Sequence, residues 1–237
     1  MDIAGWSIWI TGAGTGIGAA MARAFSAAGC TVALTGRRPE PLEALAAELG
    51  SHAFVIPGDV TDRERMVTTA TEIERRTGRL DVLCNNAGLN VKTRTWDNVD
   101  WDAWDRVIDV NVKGAMAAIV AALPIMRAAG GGVIINTSSW AGRFHSVNGG
   151  VPYGATKHAV TDLSANLNAS EGKNGIRACA LCPAEVATPL LAGRPGWDTA
   201  DNAHIIQPED MAEAALLVAR MNPNVAIHEI TLAPVRR

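Results

Sequence analysis

The chain has 237 residues, 48% of them hydrophobic, and a formal net charge of −3. That length suits one large α/β domain with a sizeable core, and the apolar content excludes a disordered chain. The weakly acidic balance excludes a basic field for nucleic acid, since the basic residues are scattered apart from Arg37-Arg38, Arg75-Arg76 and Arg236-Arg237.

The N-terminus, Met1-Asp2-Ile3, leads almost at once into a β-like run, with no charged leader and no cleavage site. No apolar run approaches the length of about 18 residues that a membrane span needs. The expectation is a cytoplasmic protein that does not enter a membrane.

Short β-like runs alternate with helical stretches along the whole sequence. The pattern predicts a strand at Ser7–Thr11, a glycine cluster and a helix to about residue 28, then a strand at Thr31–Thr35. A helix opened by proline follows at Pro39–Leu49. A short strand at 53–56 ends at Pro57-Gly58. Thr61 is the expected cap of a helix to about residue 76, with Glu64 completing a capping box.

Further strands are expected at 80–84, Gly132–Thr137, 176–182 and 226–233. Helices are expected at Trp101–Ala128 (with a break near Pro124), 153–171 and Pro208–Arg220. Strict alternation implies right-handed βαβ crossovers and a parallel sheet covered on both faces. The glycine-rich stretches fall at strand ends, where such a sheet places its ligand.

Two local patterns carry chemistry. The first strand runs into Thr11-Gly12-Ala13-Gly14-Thr15-Gly16-Ile17-Gly18. Glycines let a backbone turn sharply and approach a pyrophosphate, and the following helix N-terminus then faces the phosphates. The second pattern is Tyr153-Gly154-Ala155-Thr156-Lys157, which contains the only tyrosine of the chain. Residues i and i+4 share a helix face, so an ammonium placed there would lower the phenol pKa and create an acid/base pair. Cys179 and Cys182 form a C-x-x-C, but they sit in a strand-like run where residues three apart face opposite ways. All four cysteines, Cys30 and Cys84 included, are expected to be buried and reduced, and no metal site is expected.

The chain resembles the short-chain dehydrogenase/reductase family over nearly its full length. The resemblance rests on T-G-x-x-x-G-I-G at 11–18, Asp59-Val60, Asn85-Asn86-Ala87-Gly88, Asn111, Ser138-Ser139, Tyr153-x-x-x-Lys157, and Pro183 to Thr188-Pro189, all in order. It implies a single doubly wound Rossmann-type domain whose seven-stranded parallel sheet has order 3-2-1-4-5-6-7. It also implies an NAD(P)-dependent oxidoreductase that interconverts a small secondary alcohol and its ketone.

The resemblance assigns roles residue by residue. Gly12, Thr15, Gly16, Ile17 and Gly18 would hold the dinucleotide, with Ile17 toward the nicotinamide. Asp59 and Val60 would sit at the adenine; Asn86, Ala87 and Gly88 would form the floor beneath it. Pro183, Val186 and Thr188 would lie along the nicotinamide, with Thr188 at its carboxamide. Tyr153 would exchange the proton, and Lys157 would lower its pKa and bind the nicotinamide ribose. Ser139 would hold the substrate oxygen, and Asn111 would continue a proton relay through water to Lys157. The S-S-x-A-G pattern selects Ser139 over Ser138, although the serine-to-tyrosine separation is one residue longer than usual.

Cofactor preference turns on Leu34-Thr35-Gly36-Arg37-Arg38. Gly36 stands where NAD-preferring relatives carry Asp, and Arg37 and Arg38 suit a 2′-phosphate. Thr15 replaces the second basic residue that some NADP-preferring relatives carry. NADP(H) is therefore favoured, with NAD(H) open. Ala184 replaces a common glycine after Pro183.

The C-terminal run 227–234, together with 35–38, resembles a subgroup acting on 3-hydroxy acids and related small alcohols with NADP. The stretch 190–207 has the composition of a mobile lid. Its single charges Arg194, Asp198 and Asp201 form no clamp for a carboxylate or phosphate, so a modest, mostly neutral alcohol or ketone is expected. His145 faces solvent or reaches the substrate, and Arg143 and Phe144 shape the pocket or cover the sheet edge. Trp96, Trp101 and Trp104 suit a core or subunit interface, or substrate stacking. By resemblance the protein would be a homodimer or homotetramer.

Overall fold

The computed structural model describes residues 1–235, and only the backbone at 200 and 201. The side chain of Asp201 and the Arg236-Arg237 pair thus lie outside the described residues. Seven apolar runs form the strands β1 (Ser7–Thr11), β2 (Thr31–Thr35), β3 (Ala53–Val55), β4 (Val82–Asn85), β5 (Gly132–Thr137), β6 (Ile176–Pro183) and β7 (Glu229–Leu232). All pair in parallel, in the order β3-β2-β1-β4-β5-β6-β7. The expected sheet order is the observed one.

Alternation along each strand divides the core in two. Ile8 and Ile10 of β1, with Val32, Leu34, Val82, Cys84, Val133, Ile135, Cys179 and Leu181, face one helical layer. Trp9, Ala33, Leu83, Ile134 and Ala178 face the other. Period-two alternation buried on both faces is what a doubly covered parallel sheet requires. The Trp9 indole, fully buried, donates to Thr35 Oγ1 at 3.0 Å, so its one polar atom is satisfied.

The first layer contains helices α1 (Gly16–Ala27) and α8 (Pro208–Arg220), which pack on each other, and α2 (Pro39–Leu49). The second contains α3 (Arg63–Thr77), packed on α5 (Ala115–Ala128), with α4 (Trp101–Ile108) and α6 (Val151–Glu171) beside them. A short helix α7 (Pro189–Ala192) and a 3₁₀ turn (Thr199–His204) occupy the predicted lid stretch.

Several expectations need correction. The cap of α3 is Asp62, whose carboxylate accepts from Arg65 N at 2.9 Å; Thr61 instead turns its N–H and hydroxyl to Asp59 Oδ1. The long helical region does not break at Pro124. That proline lies inside α5, and the carbonyl it orphans belongs to Val120, which is 62% exposed. The irregularity lies earlier, in a π-helical segment, Asp109–Gly114, between α4 and α5. The helical region Trp101–Ala128 contains an 18-residue window with a mean hydropathy of 1.6, apolar enough to cross a membrane by length and composition alone. Here it covers the sheet, burying Ala118, Ile119, Ala122 and Met126.

The tryptophans form an edge-to-face group around buried Trp104, with ring centroids at 5.8 Å from Trp96 and 5.7 Å from Trp101. The Trp104 indole donates to the Thr93 carbonyl at 2.6 Å. The four cysteines are free and buried. Burial pushes the Cys30 and Cys179 thiols up to about 11 and about 12, and those of Cys84 and Cys182 upward as well. Among the described residues no group of side chains could hold a metal ion.

Candidate active site

A parallel sheet places the C-terminal ends of all its strands on one edge. Here those ends open into a cleft of about 1130 Å³. It is lined in sequence order by the turns after β1 (Gly12, Gly14, Thr15, Gly16, Ile17), β2 (Gly36, Arg37, Arg38), β3 (Asp59, Val60), β4 (Asn86, Ala87, Gly88), β5 (Ser138, Ser139) and β6 (Pro183, Val186, Thr188). The strand order reverses between β1 and β4, and the cleft lies across that point.

The glycine end is built from backbone. Gly12 has φ +64, and a side-chain carbon there would lie 2.9 Å from Ala87 Cα. Gly18 does not line the cleft. A carbon there would lie 2.3 Å from the Gly12 carbonyl oxygen, so Gly18 is what lets α1 close onto the turn.

Asn86 locks this turn from the next strand. Its Nδ2 donates to the carbonyls of Thr11 and Gly12, both at 3.2 Å, while Thr137 Oγ1 donates to its Oδ1. Thr11 Oγ1 in turn accepts from Asn86 N and Ala87 N. Thr15, the N-cap of α1, makes no side-chain cap, and the first turn carries no acidic residue. The leading N–H groups of a 12-residue helix thus point uncapped toward the cleft, an arrangement that fits the phosphates of a dinucleotide. Arg37 and Arg38 stand at its β2 side, both exposed.

At the other end the structure brings Ser139, Tyr153 and Lys157 together on one wall. Burial raises the Tyr153 pKa; a hydrogen bond with Ser139 and the fields of Arg194 and Arg94 pull it back. Ser139 is followed by a 3₁₀ turn (Trp140–Gly142), in which Ala141 N donates to Ser139 Oγ at 3.1 Å. Ser138 points away. It is 2% exposed, donates to the Lys157 carbonyl and contacts Thr161 Oγ1 at 2.7 Å.

Lys157 lies against Tyr153. Its Nζ is buried, lies 5.5 Å from the Tyr153 ring centroid and donates to the Thr137 carbonyl at 2.6 Å. Burial lowers its own pKa to about 8. Arg194 and Arg94 also act on the phenol.

Asn111 sits in the π-helical segment, 2% exposed, behind the cleft wall. Its Oδ1 accepts from Leu89 N at 2.8 Å, and its Nδ2 donates to the Leu89 carbonyl and to Thr156 Oγ1. Both amide donors are used and one acceptor lone pair is left. A carbon added at Gly88 would lie 3.4 Å from Asn111 Oδ1 and 3.6 Å from Lys157 Nζ, so the two flank the same backbone.

After β6, Ala184 has an ordinary backbone: no non-glycine residue among those described has positive φ, and Ala184 N donates to the Leu232 carbonyl. Thr188 caps α7, accepting from Leu191 N and donating to the Val186 carbonyl. His145 is exposed at the cleft mouth. Arg143 pairs with Glu229 at 2.8 Å and Phe144 stacks on Trp140, so neither shapes the pocket directly. None of Trp96, Trp101 and Trp104 lines it either.

Sequence reasoning missed Arg94 and treated Arg194 in isolation. Both line the cleft near Tyr153, with Lys92, Glu185 and Trp197. Arg94 lies 100 residues from Arg194, between strands, and no motif marks it.

The family model for short chain dehydrogenase matches residues 7–198. An uncharacterized oxidoreductase of Staphylococcus aureus (strain MW2) is 34% identical over 227 residues, covering 95% of this chain and 96% of that protein. The closed form of a serine dehydrogenase complexed with NADP+ superposes with a TM-score of 0.91 at 31% identity, over 98% of this chain and 96% of that one. A 3-ketoacyl-(acyl-carrier-protein) reductase from Brucella melitensis, complexed with NADH, gives 0.90 at 28% identity over 99% of both chains. With the cleft at the sheet's switch point and these likenesses over its length, the chain belongs to the short chain dehydrogenase family and is an NAD(P)-dependent oxidoreductase.

Proposed function

We propose that this enzyme interconverts a small secondary alcohol, of the 3-hydroxy acid type, and its ketone, with NADP(H) preferred over NAD(H). The observation that carries the reading is the convergence of Ser139, Tyr153 and Lys157 at the far end of a cleft whose near end is an uncapped glycine turn. A bound nicotinamide supplies the hydride acceptor or donor. Tyr153 takes the hydroxyl proton in oxidation and returns it in reduction. Ser139, already bonded to the phenol, holds the substrate oxygen and stabilises charge developing on it. Lys157 binds the nicotinamide ribose. Asn111, through the lone pair left on Oδ1, continues the proton path from Lys157 by way of water. Ser138 is committed to α6 and takes no part.

Support for NADP comes from Arg37 and Arg38 at the β2 turn, where Gly36 leaves no carboxylate to repel a 2′-phosphate. Gly12, Thr15, Gly16, Ile17, Asp59, Val60, Asn86, Ala87, Gly88, Pro183, Val186 and Thr188 form the rest of the dinucleotide site, and Gly18 shapes it from behind. The remaining parts of the proposal are one domain throughout, a lid over 190–207, a cytoplasmic location and a homodimeric or homotetrameric assembly.

The test is absorbance of the reduced nicotinamide during incubation with a panel of alcohols and ketones and each cofactor. Turnover with a KM for NADP at least about tenfold below that for NAD is expected, from charge-assisted contacts worth about 1.5–3 kcal/mol. A clear preference for NAD would refute the cofactor assignment. Ser139→Ala should abolish turnover where Ser138→Ala, if it folds, retains it.

A further inference from the structure

We propose that Arg94 and Arg194 form a carboxylate-binding subsite beside Tyr153, so that the enzyme takes its hydroxy acid as the anion and discriminates against the neutral alcohol of the same shape. The inference deepens the function proposed above and rests on it. It revises the sequence expectation of a mostly neutral substrate.

Arg94 is held in place by its surroundings. Its carbonyl accepts from Val151 N at 2.8 Å, at the first turn of α6, two residues before Tyr153. Gly150 has φ +81, and a side-chain carbon there would lie 2.4 Å from Arg94 Cβ, so the loop after β4 seats directly against the start of α6. The guanidinium is half-buried in the cleft wall. One nitrogen, Nη1, donates to the Asn148 carbonyl at 3.1 Å, but Nε is buried with no partner at all. A buried, charged N–H without an acceptor costs more than a met one returns, and such a group calls for an explanation.

Arg194 approaches from the segment after β6. Its Nη1 pairs with Glu185 at 3.2 Å, and its guanidinium lies over the Trp197 ring at 5.6 Å. The two arginines oppose each other electrostatically, and both act on the Tyr153 phenol.

Charge decides the ligand. Of the buried and half-buried groups at this end, Arg94, Arg194 and Lys157 are cationic and Glu185 is anionic, which leaves positive charge uncompensated. Lys92, His145 and His204 line the rim and are exposed to solvent. A carboxylate answers that excess and offers two coplanar acceptors to a guanidinium fork. A neutral alcohol would leave that excess uncompensated. Both guanidinium groups act on the Tyr153 phenol, so the carboxylate would be held at the same end of the cleft as the acid/base group.

Two measurements on the enzyme saturated with its oxidised cofactor test this. Calorimetry would compare butyrate, which has the carboxylate and no hydroxyl, with butyramide. Wild type should bind butyrate at least about tenfold more tightly. Arg94→Met and Arg194→Met should each remove most of that difference, and Arg94→Lys should restore part of it. Equal affinities in wild type, or a difference that survives both Met variants, would overturn the subsite. Steady-state kinetics would then compare 3-hydroxybutyrate with its methyl ester. A lead of about ten- to hundredfold in kcat/KM for the acid, cut by Arg194→Met, is expected. Turnover of the ester equal to that of the acid would sink the subsite and leave the oxidoreductase reading standing. Arginine-dependent butyrate binding with no alcohol oxidised by either cofactor would sink the reaction proposed above and keep the subsite.

Discussion

The two ends of the cleft are made of different material. The glycine end has almost no side-chain chemistry. Gly12 and Gly18 bring backbone against backbone, and Asn86 ties β1 to β4 and β5. The far end is the reverse: side chains from four separate segments (Arg94, Ser139, Tyr153 with Lys157, and Arg194 with Glu185) meet on a wall of ordinary backbone. The first design recognises what every dinucleotide shares and tolerates no added carbon. The second can be retuned one side chain at a time without disturbing the sheet beneath it.

If that contrast holds, substitutions at the two ends should fail in different ways. The largest effect is expected at Tyr153→Phe. It removes the proton acceptor and should lower kcat by about 10³-fold, while nucleotide affinity by calorimetry stays within about threefold. Turnover near the wild-type rate would break the assignment of the far end, since there is no second phenol in the chain. Next is Gly18→Ala. Its methyl would lie 2.3 Å from a carbonyl oxygen, so the turn and α1 must separate. Urea unfolding should show a loss of about 1–3 kcal/mol, with nucleotide binding weakened and substrate selectivity kept.

Arg37→Ser should raise the KM for NADP about tenfold and that for NAD far less. An equal effect on both would show that the arginine is only a surface residue. The smallest effect is on pH dependence. Arg194 favours the Tyr153 phenolate and holds its pKa down. Arg194→Met should therefore raise that pKa and move the ascending, acid-side limb of kcat/KM for oxidation to higher pH. A downward move would mean that the arginine does not act on the phenol.

Much of this was legible in the sequence, for a physical reason. Strands β1, β2 and β5 and helices α2 and α8 show their bounds because glycine or proline punctuates them. The glycine turn and the Tyr153–Lys157 spacing are local patterns that need no knowledge of distant contacts.

What escaped depends on choices between neighbours or on long-range assembly. Thr61 and Asp62 are both competent caps, and only the turn at Asp59 decides between them. The spacing brings Lys157 to the Tyr153 ring, but that its ammonium also donates to the β5 carbonyl of Thr137 depends on a contact 20 residues away. Arg94 and Arg194 meet only because β4 and β6 end on the same edge of the sheet.

The π-helical segment at Asp109–Gly114 divides one long rod into two phases. A turn of that kind holds one residue more than the α-helical turn it replaces, so it rotates the downstream helix by about 100° relative to the upstream one. One phase aims Ala118, Ile119, Ala122 and Met126 at the sheet, and the other hands Asn111 to Leu89 and Thr156. Deleting a single residue between 109 and 114 would let the rod run regularly, with its apolar stripe intact and its amide aimed elsewhere. Such a shortened chain would be a folded shell that has lost the aim of one side chain, because fold and site are counted here in different registers of the same helix.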